Sequence, residues 1–425
     1  MHSEQHRTRT LWLAGILHAF THTYHVALLP LYLLIQADLK LTSVEQATLL
    51  VTTMMLSYFV PSYALGVLAD RVSRKRLLGI GLAINGLGFV GLSLAPNYPM
   101  ALACAAIAGI GGSFYHPAAT AMVARLFPTG TGKALGLVGI GAGVGFFFGP
   151  IYTGWRVASL EPLLGAAAWR KPILELGVLG ILMAIIFAWL AEEKPADQHA
   201  PKPHGHVDKM FPTPALWLFF IAASLAFGLR DFTGAAMGSL GSLFFQKAHG
   251  FDAKFTGFAL SGIFLAASIS NPVFGNLSDR GRFRWTSFAL ICAAVIIVIF
   301  PRLPVQWSVL MLMAYGFFFM GSYPMVEAAL MESVPDAVRG RVFGFFITVG
   351  GLIGNLSHWA MGRLVKRMGT GAESPESYYS IYTVLSALVV LSLLGLPCLF
   401  AIRKREHALE HPAAPETGAP KTEPV

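Results

Sequence analysis

The hydrophobic positions of this chain gather into long apolar runs, and the polar positions fall in the short breaks between them. A helix needs about 20 mostly apolar residues to cross a bilayer. Runs of that kind cover 11–36, 45–69, 77–95, 99–124, 133–155, 172–191, 214–246, 253–278, 285–301, 305–331, 340–364 and 378–402, so the pattern predicts twelve spanning helices. One break differs from the rest. Residues 192–213 place Pro195, Pro201, Pro203 and Pro212 among Glu192, Glu193, Lys194 and Lys202, and they read as a flexible linker between two six-helix halves, 1–191 and 214–402. The tail, 403–425, is rich in Pro, Glu and Ala and is expected to be disordered and cytoplasmic.

The halves also match each other in order and at a near-constant offset. Gly66-Val-Leu-Ala-Asp70-Arg71 recurs as Gly275-Asn-Leu-Ser-Asp279-Arg280. Gly132-Lys-Ala-Leu-Gly136 recurs as Gly340-Arg-Val-Phe-Gly344, and Tyr115-His116-Pro117 is echoed by Ser322-Tyr323-Pro324. Three ordered matches at nearly one spacing point to a duplicated six-helix unit.

Composition agrees with a lipid-facing surface. Only 12% of the 425 residues are charged and 55% are hydrophobic, against roughly 25% charged in soluble domains, which argues against a soluble multidomain enzyme. The formal net charge of +9 raises nucleic acid as a partner, but the basic residues sit in short clusters between apolar runs. The bilayer is therefore the expected partner. With the N-terminus inside, twenty of the 31 Lys and Arg residues fall on the cytoplasmic side. That bias predicts a multi-pass protein of the cell inner (plasma) membrane with both termini cytoplasmic. Arg7 and Arg9 precede the first apolar run as in a signal peptide, yet that run continues to about Ile35 with no small-residue cleavage site, so it reads as an uncleaved span. Cys104, Cys292 and Cys398 lie singly inside apolar runs, without metal or redox spacing. There is no Gly-x-Ser-x-Gly, His-Glu-x-x-His or P-loop pattern, so neither an enzyme nor direct use of ATP is expected, and no cofactor or resident metal is assigned.

The duplicated loop carries a resemblance. Gly66, Asp70, Arg71, Ser73, Arg74 and Lys75 follow Gly-x-x-x-Asp-Arg-x-Gly-Arg-Lys/Arg, the loop pattern of the major facilitator superfamily, with Ser73 in place of its second glycine. The second copy keeps Gly275, Asp279, Arg280 and Gly281 and is one residue shorter before Arg282. The chain resembles that superfamily over almost its whole length. This implies an all-α integral membrane protein, with twelve transmembrane helices in two six-helix bundles around a mid-membrane cavity lined by spans 1, 4, 7 and 10. It also implies a secondary active transporter of a small-molecule substrate, working as a monomer. The stretch Gly145-Phe-Phe-Phe-Gly149-Pro150-Ile-Tyr-Thr153-Gly154 resembles the span-5 pattern of drug–proton antiporters; the same small-residue spacing also serves plain helix packing. Gly109 to Pro117 and the histidine-bearing first span look similar to the fosmidomycin-resistance branch, which implies proton-coupled export and names no substrate.

Candidate chemistry follows from polar residues inside the spans, which are costly there and usually functional. His18, His22 and His25 are spaced i, i+4, i+7 on one helix face. They suit proton relay, a polar substrate or a divalent metal, with His116 and His358 as further members. Arg230 and Asp231 lie in span 7 and Glu327 in span 10. Helix neighbours point about 100° apart, so Arg230 and Asp231 need not pair with each other. Asp231 reads either as a proton carrier or as part of a permanent salt bridge, and it holds the repeat position of His22. The expected cargo is a small organic solute exchanged for protons. An organic anion held by Arg230, or a divalent metal held by the span-1 histidines and Asp231, are the alternatives. Gly66, Asp70, Arg71, Arg74, Gly275, Asp279 and Arg280 are expected to latch the cytoplasmic side in one of two conformations.

Overall fold

The computed structural model describes residues 2–69, 72–193, 210–335 and 338–410, and the described residues form helices without strands. In chain order these are α1 (His2–Val26), α2 (Tyr32–Asp38), α3 (Val44–Phe59), α4 (Ser62–Ala69), α5 (Arg74–Leu94), α6 (Tyr98–Ser113), α7 (Tyr115–Leu126), α8 (Thr131–Leu164) and α9 (Arg170–Leu190). After residues 194–209 come α10 (Pro214–Leu243), α11 (Ala253–Ser278), α12 (Arg282–Ile299), α13 (Ser308–Met331), α14 (Arg339–Met368), α15 (Tyr379–Ser392) and α16 (Gly395–Glu410).

Each expected run falls on one of these helices or on two consecutive ones. Among the described residues, nine stretches are long and apolar enough to cross a membrane, one of which, Thr131–Leu190, joins α8 and α9. The first two runs are not among the nine. Histidines and arginines dilute α1, and Pro30, which cannot donate an N–H, lies in the 3₁₀ turn that separates it from α2. The second run breaks at Val60–Pro61 between α3 and α4. Four helix starts carry side-chain caps, and two ends close on glycine. Ser73, Asn97, Thr213 and Asp252 each accept an N–H from the first turn of their helix, and Gly165 and Gly369 close α8 and α14 at positive φ.

The C-terminal tail departs from expectation. α16 continues to Glu410 rather than ending near 402, because Arg403-Lys-Arg-Glu-His-Ala-Leu-Glu is a run of good helix formers. Most of the expected linker and residues 411–425 lie outside the described residues.

The duplication is visible in the packing. α1 lies on α8, α3 on α6, and α5 on both α6 and α9; correspondingly α10 lies on α14, α11 on α13, and α12 on both α13 and α15. Two further pairings, α8 with α11 and α3 with α14, join the halves. Large apolar side chains such as Trp12, Leu163 and Trp189 point outward, as a lipid-facing surface requires.

Hydrogen bonds between the halves are absent from one end among the described residues. Arg9 pairs with Glu192 and Arg403 with Glu332, which identifies the end carrying the termini. The described hydrogen bonds between the halves run from mid-bundle, at Ser261 to Phe147 and Thr52 with Asn355 and Trp359, to the opposite, far end, at Tyr32 to Ser239, Ser242 to Leu29 and the partners of Glu45. Toward the termini end α8 and α11 part. A Cβ added at Gly132, Gly136, Gly139 or Gly143 of α8, or at Gly275 of α11, meets no heavy atom within 4 Å. At the far end a Cβ on Gly257 would overlap the carbonyl oxygen of Pro150, and one on Gly154 that of Ala253. Overpacking costs about 1–3 kcal/mol. Gly257→Ala is therefore expected to lower the melting temperature, and Gly275→Ala to leave it in place.

Candidate functional site

Two polar clusters lie inside the bundle, one in each half. In the first half, α1 presents His18, His22 and His25 along one face, and α7 adds His116. The helices meet closely because Gly141 and Gly145 of α8 leave room for the backbone of α1 at Gly15 and Ala19, and Gly149 does the same at Thr23. His18 is buried and its Nδ1 donates to the carbonyl of Val138 at 2.9 Å. Its Nε2 lies 3.0 Å from Nε2 of His22. The rings of His18 and His116 are 5.2 Å apart, those of His22 and His116 5.6 Å, and those of His22 and His25 5.0 Å. Tyr115 stacks on His18 at 4.6 Å, and Phe146 packs against His22 at 4.2 Å. The Nδ1 of His22 and the Nε2 of His25 are buried with no hydrogen-bond partner. His116, by contrast, is exposed at the cluster's open side. One donor atom each from His18, His22 and His116 lie within 4.8 Å of one another, a set that can hold a metal ion.

In the second half, Arg230 and Asp231 do pair, although they are neighbours. The guanidinium folds back along α10, so that its Nε and Nη2 donate to Oδ1 of Asp231 at 3.0 and 2.9 Å. It is held there by the Tyr323 ring, 3.9 Å below it, and by Phe227 at 5.4 Å. Only 1% of the Arg230 side chain is exposed, against 18% of Asp231, and its Nη1 is buried without a hydrogen-bond partner. Asp231 reaches α14 over Gly350 and Gly354, where any Cβ would press on it. Glu327 lies one turn beyond Tyr323 on α13, half-buried, and makes no hydrogen bond to a described residue.

The residues expected to share one cavity are thus split between an imidazole cluster and a charged cluster, with no hydrogen bond or ring contact joining them among the described residues. His358, on α14, lies near His25 across the seam between the halves. It is satisfied by Ser239 at 2.7 Å and Asn355 at 3.1 Å, in a network that also takes in Tyr32 of the other half. Asp70 and Arg71 lie outside the described residues, as do the linker histidines, and Gly66 lies in α4. The second half of that motif, the start of α5, grips Glu193: the Ser73 hydroxyl and the N–H groups of Arg74 and Lys75 all donate to its carboxylate. In the other copy Arg282 pairs with Glu332 and reaches Asp279 at 3.5 Å. These described contacts stay within one half.

Sequence reasoning missed the far-end contact. Glu45, at the start of α3, accepts from Trp359 Nε1 at 3.0 Å, Arg363 at 3.2 Å and Lys366 at 2.8 Å, all on the last turns of α14. The i, i+4, i+7 spacing of those three residues was the available signal.

The Major Facilitator Superfamily pattern matches residues 11–358. Similar proteins include the fosmidomycin resistance protein of Escherichia coli (strain K12), 23% identical over 333 residues, which are 76% of this chain and 79% of that protein. The cyanate transport protein CynX of the same strain is 25% identical over 338 residues, 79% of this chain and 82% of that protein. Among solved structures, a bacterial homolog to the human lysosomal transporter Spinster, in an inward-facing and unoccupied conformation, superposes with a TM-score of 0.75 at 17% identity, covering 94% of this chain and 97% of that one.

Proposed function

The chain belongs to the Major Facilitator Superfamily and is a multi-pass membrane transporter, and on that premise we propose that it exports a small organic solute in exchange for protons, by alternating access. In this reading both termini are cytoplasmic in a cell inner (plasma) membrane. The bundles 1–191 and 214–402 rock about a solute held between them, with the duplicated loops at Asp70-Arg71 and Asp279-Arg280 latching the termini end when it closes. Closure at the far end then corresponds to a cytoplasm-facing state, as in the inward-facing Spinster homolog. The fosmidomycin resistance relative supports the outward direction.

The observation that carries the reading is the Arg230–Asp231 pair in the middle of an apolar helix, with Glu327 beside it. An ionic group at that depth costs about 2.5–3.5 kcal/mol on insertion scales, and a static bundle has no use for it. A carboxylate whose cation can be drawn off by cargo is able to take up and release a proton as the cavity changes sides.

A second cargo reading has its own support. The Nη1 of Arg230 is buried and unpartnered, and an anionic solute would supply the missing acceptor. One screen addresses both. A ligand at 100 times its dissociation constant stabilises the folded protein by about 2.7 kcal/mol, so thermal shifts against neutral drugs, organic acids and cations identify the cargo class. Hits are then offered to proteoliposomes holding a pH-sensitive dye. Proton movement opposite to the solute is the expected result, and solute flux without proton flux overturns the coupling.

A further inference from the structure

We propose that His18, His22 and His116 form a binding site for a divalent transition-metal ion of the zinc, cobalt and nickel class, within the first half of the bundle. The site stands apart from the proton path, since it needs neither Asp231 nor Glu327. Three features of the cluster point to it.

The first is spacing. Two nitrogens bound to one tetrahedral ion at 2.0–2.1 Å lie about 3.3 Å apart. The Nε2 atoms of His18 and His22 are 3.0 Å apart, so a shift of a few tenths of an ångström admits an ion between them. A donor atom of His116 completes a set of three within 4.8 Å. The second is orientation. The Val138 carbonyl takes the Nδ1 proton of His18 at 2.9 Å, which leaves the Nε2 lone pair of that ring pointing at the cluster. Metal-bound imidazoles are ordinarily held by such a carbonyl.

The third is burial. His22 is only 8% exposed, and the polar atom that its Nε2 faces is Nε2 of His18. Buried polar atoms are nearly always satisfied; an ion between the rings gives both Nε2 lone pairs a partner, a single shared proton is the competing arrangement, and the metal titration below separates the two.

The donor set selects the ion. Three imidazoles without a thiolate suit zinc, cobalt, nickel or copper, whereas calcium and magnesium demand oxygen ligands. His116 is exposed while His22 is buried, so the ion enters past His116 and the fourth position faces the opening. The bound ion is accordingly exchangeable.

Cobalt(II) reads the geometry directly through its visible d–d bands. Full-length protein, purified without a histidine tag and stripped with chelator, is titrated with cobalt chloride alone. The expected result is one equivalent bound with bands of a low-coordinate nitrogen site, displaced by zinc and removed by chelator, and absent with magnesium. His116→Gln alters the exposed ligand, so it is expected to fold as the parent does, with an unchanged melting temperature without metal. It is expected to weaken cobalt binding at least 10-fold and to change the bands. His22→Gln should abolish them. Replacing His199, His204 and His206 together should leave both stoichiometry and spectrum unchanged. A featureless titration of the parent protein overturns the proposal, as do bands that survive in the His22→Gln, His116→Gln double variant or vanish with the linker histidines.

Discussion

Glu45→Gln is expected to open the far end of the molecule. The carboxylate is mostly buried between α3 and α14 and accepts from Trp359, Arg363 and Lys366 of the other half. A hydrogen bond to a charged group is worth about 1.5–3 kcal/mol. The side chains of Arg363 and Lys366 are 45% and 51% exposed, so solvent screening holds the total near the lower figure. Because 1.4 kcal/mol is a factor of ten, the variant should raise the far-end-open population by roughly tenfold. Nitroxide labels at Leu163 and Thr370, on α8 and just beyond α14, would report it in a background lacking Cys104, Cys292 and Cys398. A second, longer distance should appear in Glu45→Gln. An unchanged distance distribution would show that these contacts do not hold the far end shut.

The sequence made the helices legible because the bilayer leaves little choice. A segment with no water to satisfy its backbone must be helical and apolar for about 20 residues, and Ser73, Asn97, Thr213 and Asp252 mark starts that any reader of caps would choose. The duplication was legible too, since Gly66 to Arg71 and Gly275 to Arg280 are the same words twice. By its offset His22 corresponds to Asp231, and His116 to Tyr323. What it did not reveal was which side chains meet. Arg230 and Asp231 pair because the Tyr323 ring gives the guanidinium a surface to fold back on, and Tyr323 is 93 residues away in sequence. Glu45 finds its partners more than 300 residues later, so nothing local distinguished it from an ordinary acidic residue at a helix start. The imidazoles and the ion pair gather separately for a physical reason. Each half first packs its own helices, and its polar residues gather within that packing, so the duplicated unit has one cluster per copy: imidazoles in the first and an ion pair in the second.

We propose different work for the two halves, and Asp231 is where that proposal can be tested hardest. If it carries the proton, Asp231→Asn fixes the site in a mimic of its protonated form. The amide oxygen still accepts from Arg230, and the amide retains the carboxylate's shape over Gly350 and Gly354. Gradient-driven transport should then be abolished, while solute binding and gradient-free counterflow continue. If Asp231 serves only as the counter-charge of Arg230, the same change strands a guanidinium that is 1% exposed and already has one bare nitrogen. Removing one member of a buried ion pair costs about 3–5 kcal/mol, so melting temperature, yield and every transport mode should fall together. Reconstituted variant protein separates the two outcomes when melting temperature, counterflow and proton-driven flux are measured side by side. Proton-driven flux that survives in a well-folded Asp231→Asn would move the carrier role to Glu327, which lies beside the pair without a hydrogen bond of its own to any described residue, and Glu327→Gln should then show the loss that Asp231→Asn did not.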